Sequence, residues 1–307
     1  MINRLFPTLL FFICFFYSLP QTAKAQNNEW ENPAKYEWNK ERPHADFRLY
    51  EQAEDAVNDK PRKSSWQHSL NGVWKFIYAP TIAASIKDFY RIDLPDSNWD
   101  TITVPSNWEI QGFGEPIIRN IQYVFSSNPP YIDVDNPVGT YRRTFTVPRN
   151  WQEREVFLHF GSISGYARIY VNGQQVGMTK ASKTPAEFNV TNYLKEGENL
   201  LAVQIYRWHD GSYMEDQDFW RLTGIERDVF LQAYPKLTIW DFFLKSSLDS
   251  TYKNGIFNAT VDLREFTGNN VKKGTLKLEL LDKTGKIVLS QPVSYTHLRA
   301  HETLANL

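Results

Sequence analysis

The sequence contains a single cysteine, Cys14, which lies inside an apolar run near the N-terminus. The rest of the chain can therefore form neither a disulfide nor a cysteine-based metal site, so its stability must come from a hydrophobic core. The sequence also lacks an excess of positive charge, since its formal net charge is −1 at pH 7. Without a basic surface to follow a phosphate backbone, we do not expect nucleic acid as a partner.

Long hydrophobic stretches are also missing, apart from one run between Leu5 and Leu19. This run is short for a membrane span, so we expect no stable membrane anchor. A positive start, MINR, precedes it, and the small residues Ala23 and Ala25 follow it. This is the pattern of a secretory signal peptide, here residues 1–25, and it predicts export to the periplasm or the extracellular space.

Aromatic residues are abundant, at 15% of the sequence. They favour β-strands and also offer flat apolar faces to sugar rings. Short β-rich runs alternate with turn signals, and Asn172-Gly173 between two such runs predicts a hairpin with a type I′ turn. Helical periodicity is almost absent. The pattern therefore predicts an all-β protein built around a jelly-roll β-sandwich.

The pattern also divides the chain into units. Residues 26–65 are polar and form an N-terminal extension, with a short helix expected within Leu49–Lys60. Residues 66–235 form the jelly roll, and residues 236–293 begin an immunoglobulin-like β-sandwich that includes a hairpin turned at Asp282–Lys286. This second sandwich is incomplete, because about four strands are present where such a fold needs about seven.

The last residues, 294–307, follow no strand period and contain His297 and His301. We expect these histidines to lie in an unstructured tail, since metal binding would need a helix and further ligands. The string SYTHLRAHET (Ser294–Thr303) resembles read-through of a sequencing adapter. We therefore predict that the residues from about Ser294 are not native.

Four acidic residues lie close together in HDGSYMEDQDFW, His209–Trp220. Carboxylates this close repel each other, so each needs a reason to be there. Asp210 is expected to set a turn with Gly211. Glu215 and Asp216 are expected to remain in solvent or to pair with an arginine close in sequence, namely Arg207, Arg221 or Arg227.

Other functions of this stretch remain open. A calcium ion could be shared by Asp216 and Asp218. Trp208 and Trp220 could stack on a sugar ring, although packing in the core or anchoring of the loop is the more common role of tryptophan.

Three motifs carry a resemblance to a known family: VPSNWEIQGFGEPIIRN (Val104–Asn120), NPVGTYRRTFTVP (Asn136–Pro148) and the long stretch Gly197–Leu231. Together they resemble the N-terminal domain of glycoside hydrolase family 2 β-galactosidases, over roughly Trp66 to Pro235. The resemblance implies a galactose-binding-like jelly roll, then an immunoglobulin-like domain, then a (β/α)₈ barrel.

In such enzymes the barrel carries two glutamates, about 5–5.5 Å apart, that hydrolyse terminal β-galactosides with retention. No alternating strand and helix pattern follows residue 290, so neither glutamate can be assigned. We therefore expect this chain by itself to be catalytically inactive.

The resemblance carries two site residues over to this sequence. Asn120 matches an asparagine at the galactosyl pocket, and Asp218 matches an aspartate that contacts the sugar and helps to coordinate sodium. For the intact enzyme it further implies magnesium, β-galactoside oligosaccharides as ligands, and a homo-oligomer as one possible state. Two alternatives remain: a non-catalytic carbohydrate-binding module, or another family 2 glycosidase such as a β-glucuronidase or β-mannosidase.

Overall fold

A computed structural model describes most of the chain after the predicted signal peptide, which lies outside the described residues. The described ranges are 28–58, 64–120, 122–215, 218–268, 274–295 and 299–305. Within these ranges, no helix is long and apolar enough to cross a membrane. Nearly all regular structure is β, which confirms the predicted all-β class.

The first sixteen strands belong to the region predicted as extension and jelly roll. They are β1 (Glu37–Trp38), β2 (Gln67–Ser69), β3 (Gly72–Ala79), β4 (Asp100–Val104), β5 (Ser106–Asn107), β6 (Ile117–Ile118), β7 (Val138–Thr146), β8 (Glu155–Phe160), β9 (Ile163–Ser164), β10 (Tyr166–Val171), β11 (Gln174–Thr179), β12 (Ala186–Asn189), β13 (Glu198–Tyr206), β14 (Trp220–Arg221), β15 (Gly224–Ile225) and β16 (Val229–Tyr234).

The helices of the described residues are short. One α-helix, α1, spans Ala53–Val57, inside the segment where a helix was predicted. The 3₁₀ turns are Glu29–Glu31, Glu109–Gln111, Arg149–Trp151, Thr191–Tyr193 and Asp210–Tyr213.

Two large sheets form the sandwich. One has seven strands in the order β1-β11-β10-β13-β7-β3-β4, and the other has four in the order β12-β8-β16-β2. Along the strands, every second side chain is apolar and points inward from its sheet into a shared core. The largest fully buried side chains of this core include Trp74, Tyr141 and Phe188. The crossed strand order and the two packed antiparallel sheets are those of the predicted jelly roll.

The Asn172-Gly173 hairpin is confirmed. Strands β10 and β11 pair on either side of it, and both turn residues have positive φ, 50° and 83°. A type I′ turn needs this geometry at both central positions, and asparagine and glycine adopt it at the least cost.

Within its described residues, the second unit contains five strands: β17 (Leu237–Leu248), β18 (Gly255–Glu265), β19 (Gly274–Leu281), β20 (Ile287–Tyr295) and β21 (Arg299–Ala305). They form a three-stranded sheet, β17-β18-β21, and a two-stranded sheet, β19-β20. These strands are fewer than the roughly seven that an immunoglobulin-like sandwich needs, so within the described residues this second sandwich is incomplete. The turn at Asp282–Lys286 joins β19 to β20, also as predicted.

One expectation for this unit is wrong. The tail was expected to be unstructured, yet β21 pairs with β18 over the seven residues from Arg299 to Ala305. The physical reason is that β18 has an open edge, and an unpaired edge bonds to any extended backbone whatever its side chains are. His297 lies outside the described residues, and the prediction that this tail is not native remains a prediction.

The N-terminal extension packs closely against both units. Strand β1 adds to the edge of the large sheet by pairing with β11. Further along, the ring of His44 lies 3.1 Å from Glu187 of β12, and its other nitrogen donates to the carbonyl of Ala45 at 2.9 Å. The neighbouring Ala45 amide donates to Asp241 of β17 at 2.7 Å. The extension therefore joins the sandwich to the second unit.

Candidate functional site

The acidic stretch leaves the sandwich where β13 ends, and His209 is the first residue to turn inward. The His209 side chain is fully buried. Its Nδ1 accepts a hydrogen bond from the Gly211 amide at 3.1 Å. Its Nε2 lies 3.5 Å from a carboxylate oxygen of Glu215. The imidazole thus bridges the beginning of the loop to a residue six positions later.

Asp210 is paired with a lysine from another strand connection. Its carboxylate lies 3.0 Å from the Lys180 ammonium, and only 4% of the lysine and 8% of the aspartate side chain are exposed. Burial alone would raise the pKa of Asp210, but the close approach of His209 and Lys180 outweighs it and lowers that pKa below its usual value. Lys180 also donates to the carbonyl of Asn32 at 3.0 Å, so one ammonium holds the loop and the extension together.

Glu215 ends the first half of the loop. Its carboxylate accepts from the Ser182 amide at 3.1 Å and faces His209. Burial favours the neutral acid, but the contacts with His209 and Ser182 outweigh it and lower the pKa of Glu215. The expected arginine partners are therefore wrong for Glu215, because the loop folds back onto His209 instead of extending toward them. Asp216, for which the same partners were expected, lies outside the described residues.

Tyr213 connects this half of the loop to the segment that follows Asn120. Its hydroxyl donates to the carbonyl of Tyr131 at 2.6 Å, and its own carbonyl accepts from the Tyr123 hydroxyl at 3.0 Å. Its ring packs edge-on against Phe125, which in turn packs against Trp208. The aromatic contacts fix the loop relative to the neighbouring segment.

The far end of the loop is held by a second buried charge. Arg207 donates to the carbonyl of Arg221 at 2.9 Å, and its guanidinium lies 3.6 Å from the buried carboxylate of Glu109. The other oxygen of Glu109 accepts from the Thr223 amide at 2.8 Å. Burial raises the pKa of Glu109, and only part of that effect is offset by the contacts with Thr223 and Arg207.

Between these anchors lie the two residues predicted to bind sugar. Strands β6 and β14 form a two-stranded ribbon in which Trp220 pairs with Ile118 and Arg221 pairs with Ile117. Asn120 and Asp218 each lie two residues beyond the Trp220–Ile118 pair. Because the ribbon is antiparallel, both lie at the same end of it, and both are exposed. The structure therefore brings together two residues that are far apart in the sequence.

The two tryptophans of this region have different surroundings. Trp208 is buried against Phe125, with Arg207 over its ring. It therefore anchors the loop, which is one of the two common roles of tryptophan named in the sequence analysis. Trp220 is 49% exposed, so packing in the core does not account for it. It lines a small cleft together with Ser182, Lys183 and Glu215, among others.

Sequence reasoning missed the residues that hold the loop, namely His209, Lys180 and Glu109. Each one looks ordinary in its local sequence. The partners of Lys180 and Glu109 come from distant segments, whereas His209 contacts residues of its own loop. The only sequence signal for such a buried anchoring residue is a charged residue between two apolar ones. In Glu109 that signal was present, since Trp108 and Ile110 surround it.

The donor set for a cation is small. Within the described ranges, no group of three or more histidine, cysteine, aspartate or glutamate side chains is arranged to hold a metal ion. Asp218 and Asn120 offer the kind of oxygen that a hard cation prefers, but two residues cannot complete a coordination shell. The calcium interpretation depends on Asp216, which lies outside the described part of the chain.

Comparison with known proteins identifies the family. Residues 67–235 match the family model described as glycosyl hydrolases family 2, sugar binding domain. The chain is 36% identical to a β-galactosidase of Priestia megaterium, over 91% of this chain and 27% of that protein. It is 37% identical to a β-galactosidase of Vibrio cholerae, over 89% of this chain and 26% of that protein. The chain thus spans about a quarter of the length of these curated relatives.

Solved structures show the same fold. A β-glucuronidase from an uncultured Clostridium species superposes with a TM-score of 0.60 at 22% identity, over 86% of this chain and 42% of that one. A Bacteroides uniformis β-glucuronidase superposes with a TM-score of 0.59 at 21% identity, over 78% of this chain and 27% of that one. At such identities the likeness extends to the architecture alone. With the family model matching more than half of its residues, the chain belongs to glycosyl hydrolase family 2.

Proposed function

We propose that this chain is the sugar-binding N-terminal part of an exported, retaining β-galactosidase that hydrolyses terminal β-galactosides in oligosaccharides. The observation that carries the proposal is the position of Asn120 and Asp218, exposed together at one end of the β6–β14 ribbon. The names of the curated relatives at 36% and 37% identity support galactose as the sugar.

The proposed contacts follow from the chemistry of the two side chains. The Asp218 carboxylate accepts charge-assisted hydrogen bonds from sugar hydroxyls, and the Asn120 amide both donates and accepts. Asp218 also supplies one oxygen to a sodium ion beside the sugar. Asp218 would be one sodium ligand among several, because the described residues contain no group of three or more histidine, cysteine, aspartate or glutamate side chains that could hold a metal ion.

A uronic acid is the less favoured sugar at this position. An exposed aspartate repels the carboxylate of a glucuronide, whereas it attracts the neutral hydroxyls of a galactoside. The solved β-glucuronidases are less than 25% identical to this chain, so their sugar does not bear on this choice.

Calorimetric titration of the 307-residue chain with methyl β-galactoside tests the proposal. We expect weak, saturable binding that is stronger in sodium than in choline buffer, and no comparable binding of the methyl glucuronide. Asp218→Asn should weaken galactoside binding about tenfold, since a charge-assisted hydrogen bond contributes about 1.5–3 kcal/mol. Asp88→Asn, an exposed aspartate elsewhere in the sandwich, is the control.

Two outcomes contradict the proposal. If Asp218→Asn binds as the unmodified chain does, Asp218 is not a sugar ligand. If the glucuronide binds more tightly than the galactoside, the sugar is wrong. In a separate assay, the purified chain should release no nitrophenol from nitrophenyl galactoside, because its described residues form β-sandwich units and no (β/α)₈ barrel.

A further inference from the structure

We propose that Trp220 and Ile118 form an apolar platform on which one face of a pyranose ring stacks, beside the polar groups of Asp218 and Asn120. The proposal rests on the proposed function and adds to it the residues that would recognise the ring itself.

The two side chains share one face of the β6–β14 ribbon. Directly opposed residues of an antiparallel pair point to the same side, and Trp220 is directly opposite Ile118. Trp220 is 49% exposed and Ile118 is 55% exposed. A single exposed apolar residue is common on a protein surface. These two exposed apolar residues are directly opposed, and the exposed polar groups of Asp218 and Asn120 lie at the end of the same ribbon.

The next pair of the ribbon shows which way this face points. Ile117 and Arg221 are opposite each other and are both partly buried. Side chains alternate along a strand, so the Ile117–Arg221 pair points to the side opposite the Trp220–Ile118 pair. The ribbon thus turns one face toward the protein and the other toward solvent.

The backbone beneath the platform is fixed by charged groups. Arg221 donates to the carbonyl of Phe219 at 2.8 Å and to the carbonyl of Arg119 at 3.3 Å. From the interior, Arg207 donates to the carbonyl of Arg221 at 2.9 Å. A platform held on both strands loses little conformational freedom when a ligand stacks on it, which favours binding.

The chemistry of the four side chains matches a pyranose. One face of a galactose ring exposes a patch of C–H groups, while its rim carries hydroxyls. An indole and a branched alkyl side chain make dispersion contacts with such a patch, and the carboxylate and amide at the end of the ribbon can bond to the rim. This combination recognises a neutral sugar ring better than a flexible chain or an ion.

The test follows the indole N–H signals of the 307-residue chain by NMR during titration with methyl β-galactoside. Trp220→Phe identifies the Trp220 signal by its loss. We expect this signal to shift saturably with sugar, in contrast to the signal of buried Trp208. Trp220→Ala should raise the dissociation constant for the galactoside at least fivefold, and Ile118→Ala should raise it about twofold. In Trp220→Phe the dissociation constant should stay within about threefold of that of the unmodified chain, because phenylalanine keeps an aromatic face.

Tyr252→Ala provides the matched control, since Tyr252 is an aromatic residue of the second unit that is 80% exposed. It should leave binding unchanged. The platform is overturned if Trp220→Ala binds galactoside as tightly as the unmodified chain while Asp218→Asn does not, and the proposed function then stands. If the sugar shifts no signal and produces no heat in the unmodified chain, the proposed function fails together with the platform.

Discussion

The two halves of the acidic loop contain the same kinds of residues but have opposite surroundings. The first half, Trp208–Glu215, includes a buried tryptophan and a buried aspartate paired with Lys180. The second half, Asp218–Arg221, includes an exposed aspartate and a half-exposed tryptophan. The first half therefore attaches the loop to the protein, and the second half exposes its side chains to solvent. Because the first half is rigidly attached, the exposed side chains of the second half are held in place.

The largest difference is expected between the tryptophans. Trp208→Ala should lower the free energy of unfolding by about 3–5 kcal/mol, because it leaves a large cavity between Phe125 and Arg207. Trp220→Ala should cost less, about 1–2 kcal/mol, since half of that side chain is already in water. Urea denaturation followed by circular dichroism measures both. Equal losses in the two variants would show that Trp220 is also an anchor.

The aspartates give the next contrast. Asp210→Asn should cost about 3 kcal/mol of unfolding free energy, because it leaves the buried ammonium of Lys180 without its charge partner. Asp218→Asn should stay within about 0.5 kcal/mol, as expected for an exposed side chain. The same substitution at two positions of one loop is its own control, and thermal or urea unfolding reports the result.

A double variant sharpens that comparison. If the cost of Asp210→Asn comes from the unpaired ammonium, then Lys180→Met should cost less in the Asp210→Asn background than in the unmodified chain. We expect a coupling energy of about 1–3 kcal/mol, the range found for residues in direct contact. If the two substitutions lower the free energy of unfolding additively, the cost of Asp210→Asn comes from loop packing and not from the unpaired ammonium.

The smallest effect concerns Glu215 and depends on pH. Glu215→Gln should cost about 1 kcal/mol, because the carboxylate is partly exposed and solvent weakens its contacts with His209 and Ser182. Its folded pKa lies below the ordinary value of 4.5, so its contribution is present above that pH and disappears as the pH falls through the folded pKa. The variant and the unmodified chain should therefore become equally stable in acid. A difference that stays constant throughout the acid titration would rule out a role for the charge.

Much of the architecture could be predicted from local patterns. The Asn172-Gly173 turn, the turn at Asp282–Lys286 and the division into a sandwich and a second partial unit all follow from residue types that act within a few positions. Strand alternation and turn chemistry are local, so the sequence contains them directly. The pairing of β21 could not be predicted, because an open strand edge bonds to backbone and ignores side-chain pattern.

The candidate site shows the limit of that reasoning. By itself, the sequence determined that carboxylates and aromatic residues would crowd into one short loop. Family resemblance singled out Asp218 in that loop and Asn120 in a distant segment. Only the tertiary structure decided which acid is buried with Lys180, which faces His209 and which remains in solvent. The physical reason is that a charge is buried only where a distant segment supplies its partner, and that partner is brought near by strand order and not by sequence spacing.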